Sequence, residues 1–164
     1  MSKIPFNRPF AIGKEIDYIQ QAIENKHTCG DGDFTKKCHT LLEQVVGVPK
    51  ALLTTSCTHA LEMAALLLDI QPGDEVIVPP FTFMATIEAV LFIGAHPVFA
   101  EIDETLCLSA EGIKKASTPK TNGVCLVHMC GGLADMDSIM KGVNENMLIL
   151  VEDAGQSFST SYKG

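Results

Sequence analysis

The sequence of 164 residues contains no tryptophan, two tyrosines and no long uninterrupted apolar run. Its apolar runs are far shorter than the ~20 residues that cross a bilayer, and the amino terminus lacks an apolar core of signal-peptide length. We therefore expect a soluble, cytoplasmic protein without a membrane partner. An excess of positive charge is also absent, because 20 acidic residues outweigh 12 basic ones and the net charge is -8. This balance argues against a nucleic-acid partner.

Metal-binding and common nucleotide-binding patterns are missing as well. Six cysteines occur, but no Cys-x-x-Cys pair and no histidine at zinc-ligand spacing beside a cysteine pair, so we expect no metal site and reduced thiols. Neither Gly-x-x-x-x-Gly-Lys nor Gly-x-Gly-x-x-Gly is present. An anionic ligand remains possible, because a few backbone N–H groups suffice to hold one phosphate.

The first third of the chain has a helical pattern. Residues 14–25 place isoleucines at helical spacing, and residues 34–46 predict a second helix with Asp33 as its N-cap. A glycine-bearing loop, residues 28–33, separates them. We predict an N-terminal helical segment over residues 1–48.

From residue 49 onward, short apolar runs alternate with helical patterns. This order predicts a mostly parallel sheet covered by helices on both faces, an α/β architecture. The strands are predicted at 51–54, 75–78, 97–102, 123–128 and 147–151, and the helices at 58–69, 82–93, 109–116 and 135–144.

The most informative residue is Asp153, which directly follows the buried run ending at Val151. A carboxylate there lies where open α/β sheets bind their ligands, although helix capping or a loop hydrogen bond would also explain it. The segment Thr54–His59 leads from a strand end into a helix and offers free N–H groups for a phosphate. Simple N-capping by Ser56 or Thr58 is the alternative.

Other strand ends carry an aromatic and polar groups. Phe83 follows the second predicted strand and could stack on a flat ring or simply pack in the core. His128 ends the fourth strand, where a packed, hydrogen-bonded histidine is the alternative to a catalytic one. Gln156 lies beyond the fifth. Backbone N–H groups for a phosphate, an aromatic ring and a carboxylate would thus lie at one sheet edge. Pyridoxal 5'-phosphate needs all three, because a carboxylate keeps its ring nitrogen protonated.

Three ordered motifs resemble the DegT/DnrJ/EryC1/StrS sugar aminotransferases over essentially the whole chain. The motifs are Thr55–Glu62, Pro72–Pro79 with Phe81–Thr86, and Glu152–Gln156 with Tyr162–Gly164. The resemblance implies a three-layer α/β/α large domain of the aspartate aminotransferase type. Here that domain would be incomplete over residues 49–164, and the C-terminal small domain would be absent.

One subgroup, the dTDP-4-oxo-6-deoxy-D-glucose transaminases, is similar at further positions, namely 4–7, 29–35 and 61–75. This similarity implies transfer of an amino group from glutamate to C4 of dTDP-4-keto-6-deoxyglucose. The product would be used for enterobacterial common antigen, lipopolysaccharide O-antigen and related surface polysaccharides. A homodimer is implied too.

The resemblance also implies roles for individual residues. The backbone of Cys57, Thr58 and His59 would hold the phosphate, and Phe83 would stack on the pyridine ring. Asp153 would pair with the ring nitrogen and Gln156 would contact the 3-hydroxyl side. Cys57 stands where Gly or Ala is more common in the family, and Gly155 stands where Ala is more common. The loop Gly30, Asp31 and Gly32 would lie near the sugar nucleotide.

The family's cofactor-bound lysine lies downstream of the Asp-x-x-Gln motif, and no lysine here, including Lys163, follows that motif at its position. No catalytic residue is therefore assigned. A non-catalytic fragment and a sugar dehydratase of the same fold, with histidine in place of the lysine, remain alternatives. Without late strands to cover its sheet, we expect the isolated polypeptide to be unstable or to aggregate.

Overall fold

The computed structural model describes residues 3–5 and 7–164. It divides into two compact units, one ending at Leu53 and one spanning Thr54–Gly164. No helix of the described residues has both the length and the apolar character that a membrane crossing requires.

The first unit contains two helices, α1 (Glu15–Glu24) and α2 (Asp33–Val46). Both lie where the sequence predicts them, but the predicted N-cap is wrong. Gly32 occupies the N-cap of α2 and Asp33 is its first helical residue, whose carboxylate accepts a hydrogen bond from the Asn25 side chain at 3.3 Å. Glycine takes the extended N-cap conformation here without supplying a side-chain acceptor.

The predicted strand at 51–54 is not formed in the described residues. A strand needs a neighbour to satisfy its backbone, and here side chains take over part of that task. The N–H of Ala51 donates to the Glu43 carboxylate at 3.2 Å, and the N–H of Leu53 donates to His39 Nε2 at 2.9 Å. Helix α2 thus fixes this segment through side chains rather than through a strand ladder.

The second unit is a three-layer α/β/α structure with four parallel strands in the order β2-β1-β3-β4. The strands are β1 (Glu75–Val78), β2 (His96–Phe99), β3 (Thr121–Val127) and β4 (Ile149–Asp153). The helices are α3 (Cys57–Leu67), α4 (Met84–Phe92), α5 (Ala110–Ala116) and α6 (Met136–Glu145).

The strand order explains which face each helix covers. The chain runs from β1 to β2 in one direction, then returns across β1 to β3 and continues to β4. Because parallel crossovers are right-handed, α4 lies on one face and α5 and α6 lie on the other. Two apolar clusters confirm this arrangement: Val76, Val78 and Cys125 pack with α3 and α4, whereas Ile77, Val124 and Leu126 pack with α5 and α6.

Helix α5 packs closely against the segment that follows β2. Its N-cap, Ser109, accepts a hydrogen bond from the Gly112 N–H at 2.9 Å. A methyl group at Gly112 would lie only 2.4 Å from the backbone oxygen of Glu101. Glycine is therefore required there by close contact rather than by its backbone torsions.

Candidate active site

A pocket of about 220 Å³ opens at the carboxyl ends of β1, β3 and β4, beside the amino end of α3. Between β1 and β3 the chain's direction of progress across the sheet reverses, and such switch points are where α/β sheets bind ligands. The pocket gathers five of the nine cofactor- and substrate-binding residues expected from the sequence: Cys57, Thr58, Phe83, Asp153 and Gln156.

The amino end of α3 has the geometry of an anion site. Ser56 is the N-cap, and its Oγ accepts the His59 N–H at 3.1 Å. The N–H groups of Cys57 and Thr58 have no hydrogen-bond partner among the described residues. Two donors at the positive end of the helix dipole are therefore available, whereas the His59 N–H is already used by the cap.

We predict that Ser56→Ala lowers the free energy of unfolding by about 1 kcal/mol, because the His59 N–H loses its acceptor. Urea denaturation followed by circular dichroism measures this change. Ser56→Asn is the matched control, since its side chain can still cap and should stay close to the wild type. Equal losses in both variants would contradict a capping role.

Asp153, the last residue of β4, is held by three donors from three parts of the chain. Its Oδ2 accepts the Thr86 hydroxyl at 2.9 Å, and its Oδ1 accepts the Gly155 N–H at 3.1 Å. The Cys57 thiol lies 3.8 Å from Oδ1. The carboxylate is half-buried and lines the pocket, so its direction is fixed while one side remains open to a ligand.

Cys57 fits this site as a protonated thiol. Burial, with a smaller contribution from the negative charge of Asp153, raises the pKa of Cys57 above its ordinary value. The thiol therefore keeps its proton at neutral pH and can point it at the carboxylate. A methyl group on Gly155 would lie 3.2 Å from both Cys57 Sγ and Asp153 Oδ1, so the small residue at 155 accommodates the larger one at 57.

Phe83 immediately precedes α4 and remains 75% exposed while lining the pocket. A core residue would be buried, so the packing alternative for Phe83 does not hold within this chain. The exposed ring offers a flat apolar surface at the pocket wall.

His128 lines the same pocket as Asp153, but its side chain contacts a different acid. Successive residues of a strand point to opposite faces. Glu152 directly precedes Asp153, and its Oε2 lies 2.9 Å from His128 Nε2. His128 is 4% exposed, and its Nδ1 is buried without a hydrogen-bond partner among the described residues. Its burial and its contact with Glu152 favour the packed, hydrogen-bonded alternative that the sequence offered.

The loop formed by Gly30, Asp31 and Gly32 belongs to the first unit. Gly32 lines a cavity of about 170 Å³ there, together with Asn25, His27 and Asp33. That this loop lies near the sugar nucleotide stays a prediction.

Sequence reasoning included Thr82 and Thr86 in a family motif but gave neither a role. Thr86 is 1% exposed, and its hydroxyl lies 2.9 Å from that of Thr82. The available signal was a hydroxyl on the otherwise apolar buried face of α4.

No lysine is among the described residues that line this pocket. Lys163 instead forms an ion pair with Asp137, and the neighbouring Tyr162 hydroxyl donates to Asp135 Oδ1 at 3.0 Å. These contacts attach the segment after β4 to the beginning of α6. Among the described residues there is also no cluster of His, Cys, Asp and Glu suited to a metal ion.

This fold is that of part of the large domain of a pyridoxal-phosphate-dependent aminotransferase. A profile of the DegT/DnrJ/EryC1/StrS aminotransferase family matches residues 11–164, and the chain belongs to that family. The family depends on pyridoxal phosphate.

Individual relatives agree with this assignment. GDP-perosamine synthase of Escherichia coli O157:H7 is 33% identical over 165 residues, covering 100% of this chain and 45% of the relative. The aminotransferase from Psychrobacter cryohalolentis superposes with a TM-score of 0.91 at 35% identity, over 98% of this chain and 41% of that protein. GDP-4-keto-6-deoxymannose-3-dehydratase, solved with a trapped PLP-glutamate geminal diamine, gives a TM-score of 0.91 at 25% identity over 99% and 44%. The chain spans less than half the length of these relatives.

Proposed function

We propose that this chain binds pyridoxal phosphate in the pocket of its second unit and forms the cofactor-binding part of a sugar-nucleotide aminotransferase. The observation that carries the proposal is the pocket itself. It combines two N–H groups at a helix amino end that have no partner among the described residues, an exposed aromatic ring and an oriented carboxylate within about 220 Å³.

Each part of the pocket fits one part of the cofactor. The N–H groups of Cys57 and Thr58 hold the phosphate, Phe83 covers one face of the ring, and Asp153 pairs with the ring N–H. Gln156 lies at the pocket rim, where it can reach the 3-hydroxyl side. The His59 N–H does not bind the phosphate, because it already donates to Ser56 Oγ. When bound, pyridoxal phosphate supplies an electron sink.

The direct test uses pyridoxamine 5'-phosphate, because it needs no lysine for binding. We expect one molecule to bind per chain, with inorganic phosphate competing for the same site, as measured by equilibrium dialysis and by quenching of the ligand's fluorescence. The comparison variant is Thr58→Pro, which removes one of the two N–H groups within the first helical turn, where proline is tolerated, and which should bind the ligand more weakly. Absence of saturable binding by the wild-type chain would refute the proposal.

For the substrate, we infer a keto-sugar nucleotide aminated at C4 with glutamate as donor. The specific compound proposed is dTDP-4-keto-6-deoxyglucose, used in surface polysaccharide synthesis by a cytoplasmic homodimer. The support is the similarity of residues 29–35 and 61–75 to that subgroup. Amino transfer from glutamate to the dTDP-linked and GDP-linked 4-keto sugars, assayed side by side with the whole gene product, separates the two nucleotide classes.

A sugar dehydratase is the second candidate, and the similarity to GDP-4-keto-6-deoxymannose-3-dehydratase favours keeping it. The two differ in whether lysine or histidine faces the cofactor. The reading frame after codon 164 discriminates between them: a lysine at the family's motif position supports the aminotransferase, and a histidine there supports the dehydratase.

A further inference from the structure

Thr86 is a buried polar residue to which neither the sequence motifs nor the cofactor contacts above give a role. It is 1% exposed and lies in α4 among apolar neighbours, bordering a small cavity lined by Leu61, Ala89 and Cys125. A hydroxyl buried in such surroundings is costly unless it is hydrogen-bonded. Its hydrogen bonds therefore show what it is used for.

The Thr86 hydroxyl has two partners, and they define a direction. Asp153 Oδ2, at 2.9 Å, can only accept when the carboxylate is ionised, so Thr86 donates to it. The Thr86 oxygen is then left to accept from Thr82, whose Oγ1 is also 2.9 Å away. The half-buried Thr82 lines the pocket, so a chain of two hydroxyls runs from the pocket wall to the carboxylate. In such chains each bond polarises and strengthens the next.

The three donors to Asp153 differ in what they can control. Gly155 lies two residues away and moves with the same loop, and the Cys57 thiol is a weak donor at 3.8 Å. Thr86 is the one hydroxyl donor, and it is fixed in a helix packed on the sheet. It also binds Oδ2, the oxygen that the other two donors leave free.

We propose that Thr86 is the positioning residue for Asp153: its hydroxyl, supported by Thr82, holds the carboxylate in the single orientation that faces the ring nitrogen of a bound pyridine cofactor. This inference rests on the proposed function for its ligand. The orientation of Asp153 itself exists without any ligand, so it can be tested separately.

The ligand-free test compares Thr86→Val with Thr86→Ser in the full chain. Valine keeps the shape but removes the hydroxyl, and serine keeps the hydroxyl. Three-bond NMR couplings should report one Asp153 side-chain rotamer in the wild type and Thr86→Ser, and averaging over rotamers in Thr86→Val. A single unchanged rotamer in Thr86→Val would overturn the proposal, whether or not the chain binds a cofactor.

The ligand-bound test uses pyridoxamine 5'-phosphate labelled with ¹⁵N in its ring. We expect Thr86→Val to weaken binding about tenfold and to lower the pH at which the ring nitrogen loses its proton, because a disordered carboxylate stabilises the cation less. Thr86→Ser should restore both, and competition by inorganic phosphate should be unchanged. Wild-type binding combined with no change in Thr86→Val would refute the positioning role alone, whereas no binding by wild type would refute the proposed function.

Thr82→Val provides a second variant if Thr86→Val does not fold. It leaves the buried hydroxyl in place but removes the donor behind it, so we expect the same two changes at smaller size, about two- to threefold in affinity. An affinity and ring-nitrogen titration equal to those of the wild type would contradict the hydroxyl chain.

Discussion

Asp153→Asn should weaken the binding of pyridoxamine 5'-phosphate by about a hundredfold, equivalent to about 2.7 kcal/mol. Asparagine has the same shape, and its one amide oxygen can accept the Gly155 N–H while its NH2 group faces Thr86, whose hydroxyl oxygen can accept a hydrogen bond. It cannot carry the negative charge that stabilises a protonated ring nitrogen, and charge-assisted hydrogen bonds are roughly twice as strong as neutral ones. The pocket should therefore remain intact while its selectivity for a cationic ring is lost.

Equilibrium dialysis of the variant beside wild type measures this effect. Glu88→Gln is the control, because Glu88 is an exposed carboxylate of α4 that does not line the pocket. It removes the same charge and should leave the affinity nearly unchanged. If both variants lost affinity equally, the effect would come from net charge rather than from the position of Asp153.

The second large effect concerns stability. We expect Gly112→Ala to lower the free energy of unfolding by about 3 kcal/mol, at the upper end of the usual range for overpacking. The added methyl group would lie 2.4 Å from the Glu101 oxygen and 2.9 Å from Ser109 Oγ. The first atom is backbone and cannot rotate away, so α5 must move away from the segment after β2, which loosens the packing of Ile113 in the core.

Gly142 in α6 is a matched control, because a methyl group there meets no atom within 4 Å. Since alanine is the better helix former, Gly142→Ala should be neutral or stabilise the chain by up to about 1 kcal/mol. The urea midpoints of both variants test the contrast. Similar midpoints for the two would show that the close approach of α5 is relaxed in solution.

The parallel α/β fold was predictable because each strand and helix carries its own periodic pattern. In the part of the chain that the structure describes, six helices lie close to their predicted positions, and four of the five predicted strands form. The exception, 51–54, illustrates the limit of local pattern: an apolar run becomes a strand only when a neighbour pairs with it, and here α2 side chains bond its N–H groups instead.

Candidate-site residues were predictable where the family motifs name them, and Cys57, Phe83 and Asp153 do meet at one pocket. The role of Thr86 was not predictable, since it depends on a contact with a residue 67 positions away along the chain. His128 could not be judged from its position at a strand end, because the face to which its side chain turns depends on strand register.

That register has a consequence of its own. Glu152 and Asp153 are neighbouring acids on opposite faces of β4, and the pairing of Val127 with Asp153 decides which one reaches the pocket. A slip of β4 by one residue would exchange them, sending the longer, more weakly constrained acid toward the ligand and the shorter one toward His128. The identity of the acid presented to a ligand is therefore set by backbone pairing between two strands, so mutations in the β3–β4 interface should alter ligand binding even where they touch no ligand atom.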